Sequence, residues 1–200
     1  MTENQKSYDA IASDWDNFRK NSKINKCIVD FVKYLPKNGT VLDLGCGTGF
    51  PVDSYLENQG FIVTGVDFSN EMIKRARNLK LEKATLIESN ILDFRSDHSF
   101  DGIIAFDSLF HIPLEKQQEL YRLFSHWLKL GGHLIFTHGK VNGEVEGQMF
   151  GRNFRYSSLD VSKVKELLKS NGFDIELLVE DYKEISTGTR DLLIVATKIK

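Results

Sequence analysis

Apolar residues change period once along this chain. Up to residue 38 they recur at helical spacing, and beyond it they gather into short runs separated by amphipathic stretches. Tyr8, Ile11, Ala12, Trp15 and Phe18 share one helical face, which predicts a helix ending near Lys20. Ile24, Cys27, Ile28, Phe31, Val32 and Leu35 predict a second helix, broken by Pro36 to Gly39.

From residue 40 the pattern alternates. Thr40 to Leu44 is a short apolar run closed by glycines, as expected of a strand buried on both faces. Pro51 suits the first position of the next helix, where a backbone N–H has no bond to lose, and Gly60 stops that helix. Further strands are predicted over 61–66, 84–88, 100–106 and 133–137, the last entered through Gly131 and Gly132. Between them lie a helix capped by Ser69, carrying Met72, Ile73, Ala76 and Leu79, and an amphipathic helix over 114–128 behind Pro113. Such alternation predicts a parallel sheet covered on both faces.

The remainder departs from that rhythm. Residues 139–156 are rich in glycine and polar side chains and are predicted to be a long loop on the substrate side. A helix over about 159–171 precedes two strands, 173–182 and 191–197. The connection over 183–190 is too short for a crossover helix, so these strands should form an antiparallel hairpin. The expected class is α/β, with a mixed sheet.

Composition narrows the field. The 200 residues suffice for a single domain, 1–200, with residues 1–38 as its N-terminal helices. An apolar fraction of 41% and a charged fraction of 27% describe an ordinary globular chain. The net charge of −2 argues against nucleic acid as a partner, because phosphate binding needs a basic face. Two cysteines, Cys27 and Cys46, build neither a disulfide framework nor a metal-ligand pair. No apolar stretch approaches the roughly 18 residues that span a bilayer, and the N-terminus lacks the apolar core of a secretory signal. A reducing, cytoplasmic setting without membrane contact is expected. The oligomeric state should be monomer or homodimer.

Candidate chemistry centres on Asp43-Leu-Gly45-Cys46-Gly47-Thr-Gly49. Glycines at alternate positions after a strand let the backbone turn sharply and approach a ligand. A dinucleotide-binding loop would want a third glycine where Phe50 stands. Asp67 closes the second predicted strand, and an open parallel sheet places it beside the glycine loop, where its carboxylate can accept two ribose hydroxyls. A helix N-terminal acid before Ser69 is the lesser alternative, and the two roles can coexist. No histidine pair points to a metal site: His133 and His138 are predicted to face opposite sides of one strand, and His98 and His126 to lie at the surface.

Five segments in order resemble the motifs of class I S-adenosylmethionine-dependent methyltransferases: 41–49, 63–69, 88–94, 100–113 and 128–136. The resemblance implies a Rossmann-like three-layer sandwich around a seven-stranded, mostly parallel sheet with one antiparallel strand near the C-terminus. It implies S-adenosyl-L-methionine as cofactor and a methyl transfer to an O, N or C nucleophile. Asp43, Gly45, Cys46, Gly47 and Gly49 would hold the methionine part, and Asp67 the ribose. Phe68 and Met72 would pack the adenine, with Asn90 and Ile91 at its amino edge. Phe106 and Asp107 would face the methionine side. Many relatives carry aspartate where Asn90 stands, and an asparagine offers a donor as well as an acceptor.

In-line methyl transfer needs positioning, and a base only where the acceptor loses a proton. His111 is the candidate base, because it follows the fourth strand near the expected methyl; stabilising its own loop is the alternative. His138 and Tyr156 are candidates for the acceptor pocket. The N-terminal Tyr8 and Trp15 resemble residues of family members whose first helices fold over the cofactor; aromatic packing against the domain is the alternative, and the favoured one for Trp15. Arg19 reads as a solvated arginine more readily than as a partner of the cofactor carboxylate. The acidic balance and the lack of an Asn-Pro-Pro-Tyr-like segment favour a small-molecule acceptor, with protein or RNA acceptors as the alternatives. A non-catalytic cofactor-binding protein and a nicotinamide-dependent oxidoreductase are the rivals, and Phe50 and the terminal hairpin count against the second.

Overall fold

A computed structural model describes residues 2–184 and 188–200. Its main sheet runs in the order β3-β2-β1-β4-β5-β9-β8. The strands are β1 (Thr40–Leu44), β2 (Ile62–Asp67), β3 (Ala84–Glu88), β4 (Phe100–Ala105), β5 (Leu128–His138), β8 (Phe173–Glu184) and β9 (Gly188–Lys198). The first five pair in parallel, and β9 is antiparallel to both neighbours. This is the seven-stranded, mostly parallel sheet expected. The connection between β8 and β9 shrinks to 185–187, which lie outside the described residues, so the hairpin strands are longer than predicted.

Side-chain alternation on these strands builds two cores. Val41, Val63, Ile104, Ile135, Leu193 and Val195 face α2 (Lys26–Phe31) and α3 (Val52–Asn58). Leu42, Leu44, Ile103, Leu134, Phe136 and Ile194 face α5 (Gln117–Trp127) and α6 (Val161–Ser170). The second core is the larger and includes the buried rings of Tyr121, Phe124 and Trp127. No described helix is long and apolar enough to cross a membrane.

Helix α1 (Glu3–Arg19) starts at Thr2, whose hydroxyl accepts from Gln5 N at 3.2 Å. Helix α4 (Asn70–Asn78) starts at Ser69, whose hydroxyl accepts from Met72 N at 3.2 Å, as its sequence predicts. Asp9 ties the two helices together by accepting from Ser69 Oγ at 2.6 Å and Glu71 N at 3.2 Å.

Several local expectations are corrected. The predicted loop 139–156 is instead a second sheet, the hairpin of β6 (Gly143–Met149) and β7 (Arg152–Ser158). Its turn is Phe150-Gly151, both at positive φ (49° and 72°), the geometry of a two-residue hairpin turn. Phenylalanine is an unusual first residue there, and most of the hairpin is exposed, so neither the turn nor the alternation stands out in the sequence. The second helix is α-helical only from Lys26 to Phe31 and continues as a 3₁₀ turn over Val32–Tyr34. Pro51 caps α3 rather than opening it. Strand β5 begins at Leu128, so Gly131 and Gly132 lie within it, near an irregularity in its pairing with β4.

Candidate active site

The carboxyl ends of β1, β2 and β4 border a cavity of about 510 Å³, covered by α1 and the β6–β7 hairpin. Its floor is the glycine loop. Gly45 and Cys46 both donate to Val66 O, at 2.7 and 3.1 Å, which sews the loop to the end of β2. Gly45 has φ 85°, and a Cβ there would lie 2.3 Å from Ser108 Cβ, so only glycine fits. Ser108 is itself fixed by donating to Leu44 O at 2.6 Å.

Asp67 links this loop to α4. Its Oδ2 accepts from Gly47 N at 2.9 Å and its Oδ1 from Ser69 N at 2.8 Å. Burial raises its carboxyl to about 6, against the pull of those two N–H groups. Each oxygen keeps a second lone pair, so these bonds leave Asp67 able to accept from a ligand as well. Asp43 is buried at the same end, and burial raises it to about 7.

The neighbouring wall is apolar: Phe68, Met72 and Ile91. Asn90 ends it, with Oδ1 accepting from Leu92 N at 3.0 Å and its amide NH₂ without a partner among the described residues. Opposite, Asp107 accepts from Arg190 Nε at 2.9 Å and from Thr137 Oγ1 at 3.1 Å, and Arg190 also contacts its second oxygen closely. The Arg190 guanidinium lies 5.2 Å from the ring centre of Phe106. Aspartate tolerates the positive φ of 56° at this position.

The far end is built by α1. Asn4 Oδ1 accepts from Arg155 N and Asn4 Nδ2 donates to Arg155 O, both at 2.8 Å. That two-point pairing fixes which way the amide points. Its second N–H therefore donates to His111 Nδ1 at 3.0 Å, which places the imidazole proton on Nε2. Nε2 then donates to Tyr8 Oη at 2.8 Å, and the tyrosine proton is left for another acceptor. Arg155 O lies 3.3 Å from the same Nδ1, a longer contact that the pairing with Asn4 outcompetes. Burial pushes His111 down to about 4, so the ring is neutral, and burial raises the Tyr8 hydroxyl. Asn4→Ala is expected to free Nδ1 and to raise the His111 titration above about 4, read by NMR, while burial still holds it below the ordinary histidine value. An unchanged titration would sink this hydrogen-bond assignment.

Twelve of the sequence candidates meet around this one cavity. Asp43, Gly45, Cys46, Gly47, Asp67 and Phe68 line it, as do Met72, Asn90, Ile91, Phe106, Asp107 and His111. Gly49, His138 and Tyr156 do not. Gly49 (φ 74°) packs away from it, against Ala76 of α4 and Leu79, the C-cap of that helix. His138 shares the β5 face of Leu134 and Phe136, so it turns into the α5 core and contacts Gln117 Oε1 at 3.2 Å. Tyr156 stacks behind the cavity, its ring 5.2 Å from that of His111. Arg19 is a wall residue rather than a solvated one, lying 5.7 Å from the Trp15 ring centre, and Trp15 lines the cavity too. Asn4, Glu144, Arg155 and Ser157 also line it and carry no motif that would mark them, as does Ser108, which lies within the fourth motif segment but without an expected role. Among the described residues no group of histidine, cysteine or carboxylate side chains is arranged to hold a metal ion.

Residues 41–132 match the methyltransferase domain family. The chain belongs to the class I S-adenosylmethionine-dependent methyltransferases. Among curated proteins this family member is 31% identical over 150 residues to phosphoethanolamine N-methyltransferase 1 of Zea mays, covering 70% of this chain and 29% of that protein. It is 30% identical over 159 residues to the ubiquinone biosynthesis O-methyltransferase of Vibrio vulnificus, covering 72% of this chain and 65% of that one. The chain thus spans less than two thirds of either relative. Its fold is shared with the 1,6-didemethyltoxoflavin-N1-methyltransferase of Burkholderia thailandensis, a structure with S-adenosylhomocysteine bound, at TM-score 0.73 and 18% identity over 98% of this chain and 87% of that one.

Proposed function

We propose that this chain is a methyltransferase that takes S-adenosyl-L-methionine as cofactor, releases S-adenosyl-L-homocysteine and methylates a small-molecule acceptor. The observation that carries this reading is the single cavity joining the glycine loop and Asp67 at one end to Tyr8 and His111 at the other. Its volume suits a nucleotide with a small acceptor. The residues present fit the nucleotide. A Cβ built on Gly47 meets only Trp15 Nε1, at 3.7 Å, so that part of the loop offers bare backbone to a ligand.

In this reading residues 1–200 form one methyltransferase domain. Asp67 accepts the ribose hydroxyls, and the glycine loop with Asp43 holds the methionine end. Phe68, Met72 and Ile91 flank the adenine. The NH₂ of Asn90, whose oxygen is committed to Leu92, donates to an adenine ring nitrogen. The bound cofactor supplies an already activated methyl group, so the chain mainly positions the acceptor and keeps out water. His111 has both ring nitrogens engaged. It therefore acts by aiming the Tyr8 hydroxyl, and serves as a base only if the Asn4 contact opens. The names of the relatives include an N- and an O-methyltransferase, so the attacking atom is left as O, N or C. The two cysteines, both free and buried, suit a reducing compartment such as the cytoplasm.

Titration calorimetry with S-adenosylmethionine, S-adenosylhomocysteine and NAD tests the reading. Both sulfur nucleotides should bind and NAD should not. Binding of NAD alone would overturn it in favour of an oxidoreductase.

A further inference from the structure

Asp53, in the first turn of α3, is completely buried, and among the described residues neither of its carboxyl oxygens meets an N–H or hydroxyl donor. The group it does meet is the carboxyl of Asp43 on β1. Asp53 sits behind the glycine loop, wedged where side chains are missing: a Cβ on Gly65 would come within 2.9 Å of its Oδ2, and one on Gly49 within 3.4 Å. Asp43 reaches the cavity wall and Asp53 does not.

Two ionised carboxylates cannot share so dry a place. Burial raises both, Asp43 to about 7 and Asp53 well above the usual carboxylate range. The other titratable groups facing the pair are Asp67 on β2 and the Cys46 thiol in the loop, both acidic and both raised as well. Among the described residues the charges acting on the pair are therefore all of one sign, and a proton is the counter-charge left to Asp53.

We propose that Asp53 is a positioning residue for the cofactor: a neutral carboxylic acid that donates its proton to Asp43, so that the pair turns one oriented negative charge toward the ammonium end of the nucleotide. The inference rests on the methyltransferase reading of the cavity. Its proton balance is definite. In the ligand-free protein near neutrality the pair holds between one and two protons. The arriving ammonium makes the ionised form of Asp43 the favoured one, so its residual proton leaves to solvent while Asp53 keeps its own. Nucleotide binding should then release up to one proton and tighten as pH rises toward and through about 7.

Two measurements on the full chain test this. Infrared spectra of the ligand-free protein at pH 8 should show the carbonyl band of a protonated carboxyl group, and Asp53→Asn should remove it. Calorimetry with S-adenosylhomocysteine, in buffers of different ionisation enthalpy, should count the released proton. Asp53→Asn keeps a donor for Asp43 and should bind nearly as tightly, with fewer protons released, because Asp43 no longer shares its site with an ionisable neighbour. Asp53→Leu keeps the volume but loses the donor and should bind about tenfold or more weakly. Wild-type binding without the infrared band, or with a leucine variant that binds and releases protons like wild type, would overturn the role of Asp53 alone. Failure of the wild type to bind either sulfur nucleotide would overturn the reading beneath it.

Discussion

Gly45→Ala is expected to lower the melting temperature steeply and to abolish nucleotide binding. The added methyl group would meet Ser108 Cβ at 2.3 Å, well inside contact distance. Neither partner can retreat cheaply. Ser108 is held by its bond to Leu44 O, and Gly45 by its own bond to Val66 O. The φ of 85° adds a backbone cost for any residue with a Cβ. Overpacking and backbone strain together should cost about 3 kcal/mol, or roughly 6–12 °C in a domain of this size. Because Cys46 N shares the Val66 carbonyl with Gly45, any shift of the loop should also misplace Asp67 through Gly47.

Two companion variants separate sterics from chemistry. Gly45→Ala combined with Ser108→Gly removes the collision and leaves the φ cost, so more than half of the lost stability should return. Gly47→Ala places its methyl where only Trp15 Nε1 stands, at 3.7 Å. It should fold with a loss of only about 1 kcal/mol, yet bind nucleotide poorly, since the methyl projects into the cavity. Equal thermal shifts for Gly45→Ala and Gly47→Ala would contradict this account.

The parallel half of the fold is plain in the sequence, because strands buried on both faces read as unbroken apolar runs and the intervening helices carry capping residues such as Ser69. The same segments carry the glycine loop, Asp67 and Asn90. The cavity floor is therefore local in sequence and legible there. Its roof is not. Asn4 and Ser7 break the apolar periodicity of α1, yet they are buried because they bond to the backbone of β7, at Arg155 and Asn153. Nothing near residue 4 announces a partner some 150 positions away. The hairpin escapes detection for a related reason. Val145 of β6 is exposed, and the buried positions of β7, Phe154 and Ser157, have opposite parity, so burial does not follow the apolar alternation that marks a half-buried strand. His138 shows the converse error. Its place at the end of β5 suggests the site, but strand parity sends it into the α5 core.

Asp53 illustrates a third kind of illegibility. An aspartate in the first turn of a helix reads as a favourable partner of the helix dipole. Only the packing of α3 against β1 and β2 shows that it has no solvent and no cation. The cluster of Asp43, Asp53 and Asp67 then has a consequence for folding. A carboxyl whose folded value exceeds its unfolded value of 3.8 makes the folded state hold the extra proton. Stability from these groups is therefore greatest below about 4 and declines as pH rises through the folded values, about 6 for Asp67 and about 7 for Asp43.

Asp67→Asn should weaken binding of S-adenosylhomocysteine at pH 8 by about a hundredfold or more. In the proposed role Asp67 makes two charge-assisted bonds to ribose hydroxyls, each contributing roughly 1.5–3 kcal/mol. An asparagine offers one oxygen where the aspartate has two, and its NH₂ would face the N–H of either Gly47 or Ser69. The pH dependence gives an independent readout. Above about 6 the wild-type carboxylate is ionised and accepts fully, and below it protonation removes an acceptor, so affinity should fall as pH drops from 7 to 5. That limb should vanish in Asp67→Asn, leaving only the component centred near 7 that belongs to Asp43. Stability of the ligand-free protein and affinity for the nucleotide should thus move in opposite directions over the same pH range. On the proposed reading, the charge that is costly to bury is the charge the nucleotide requires. A variant that loses affinity but keeps the limb near 6 would show that Asp67 holds the loop and α4 together without touching the nucleotide.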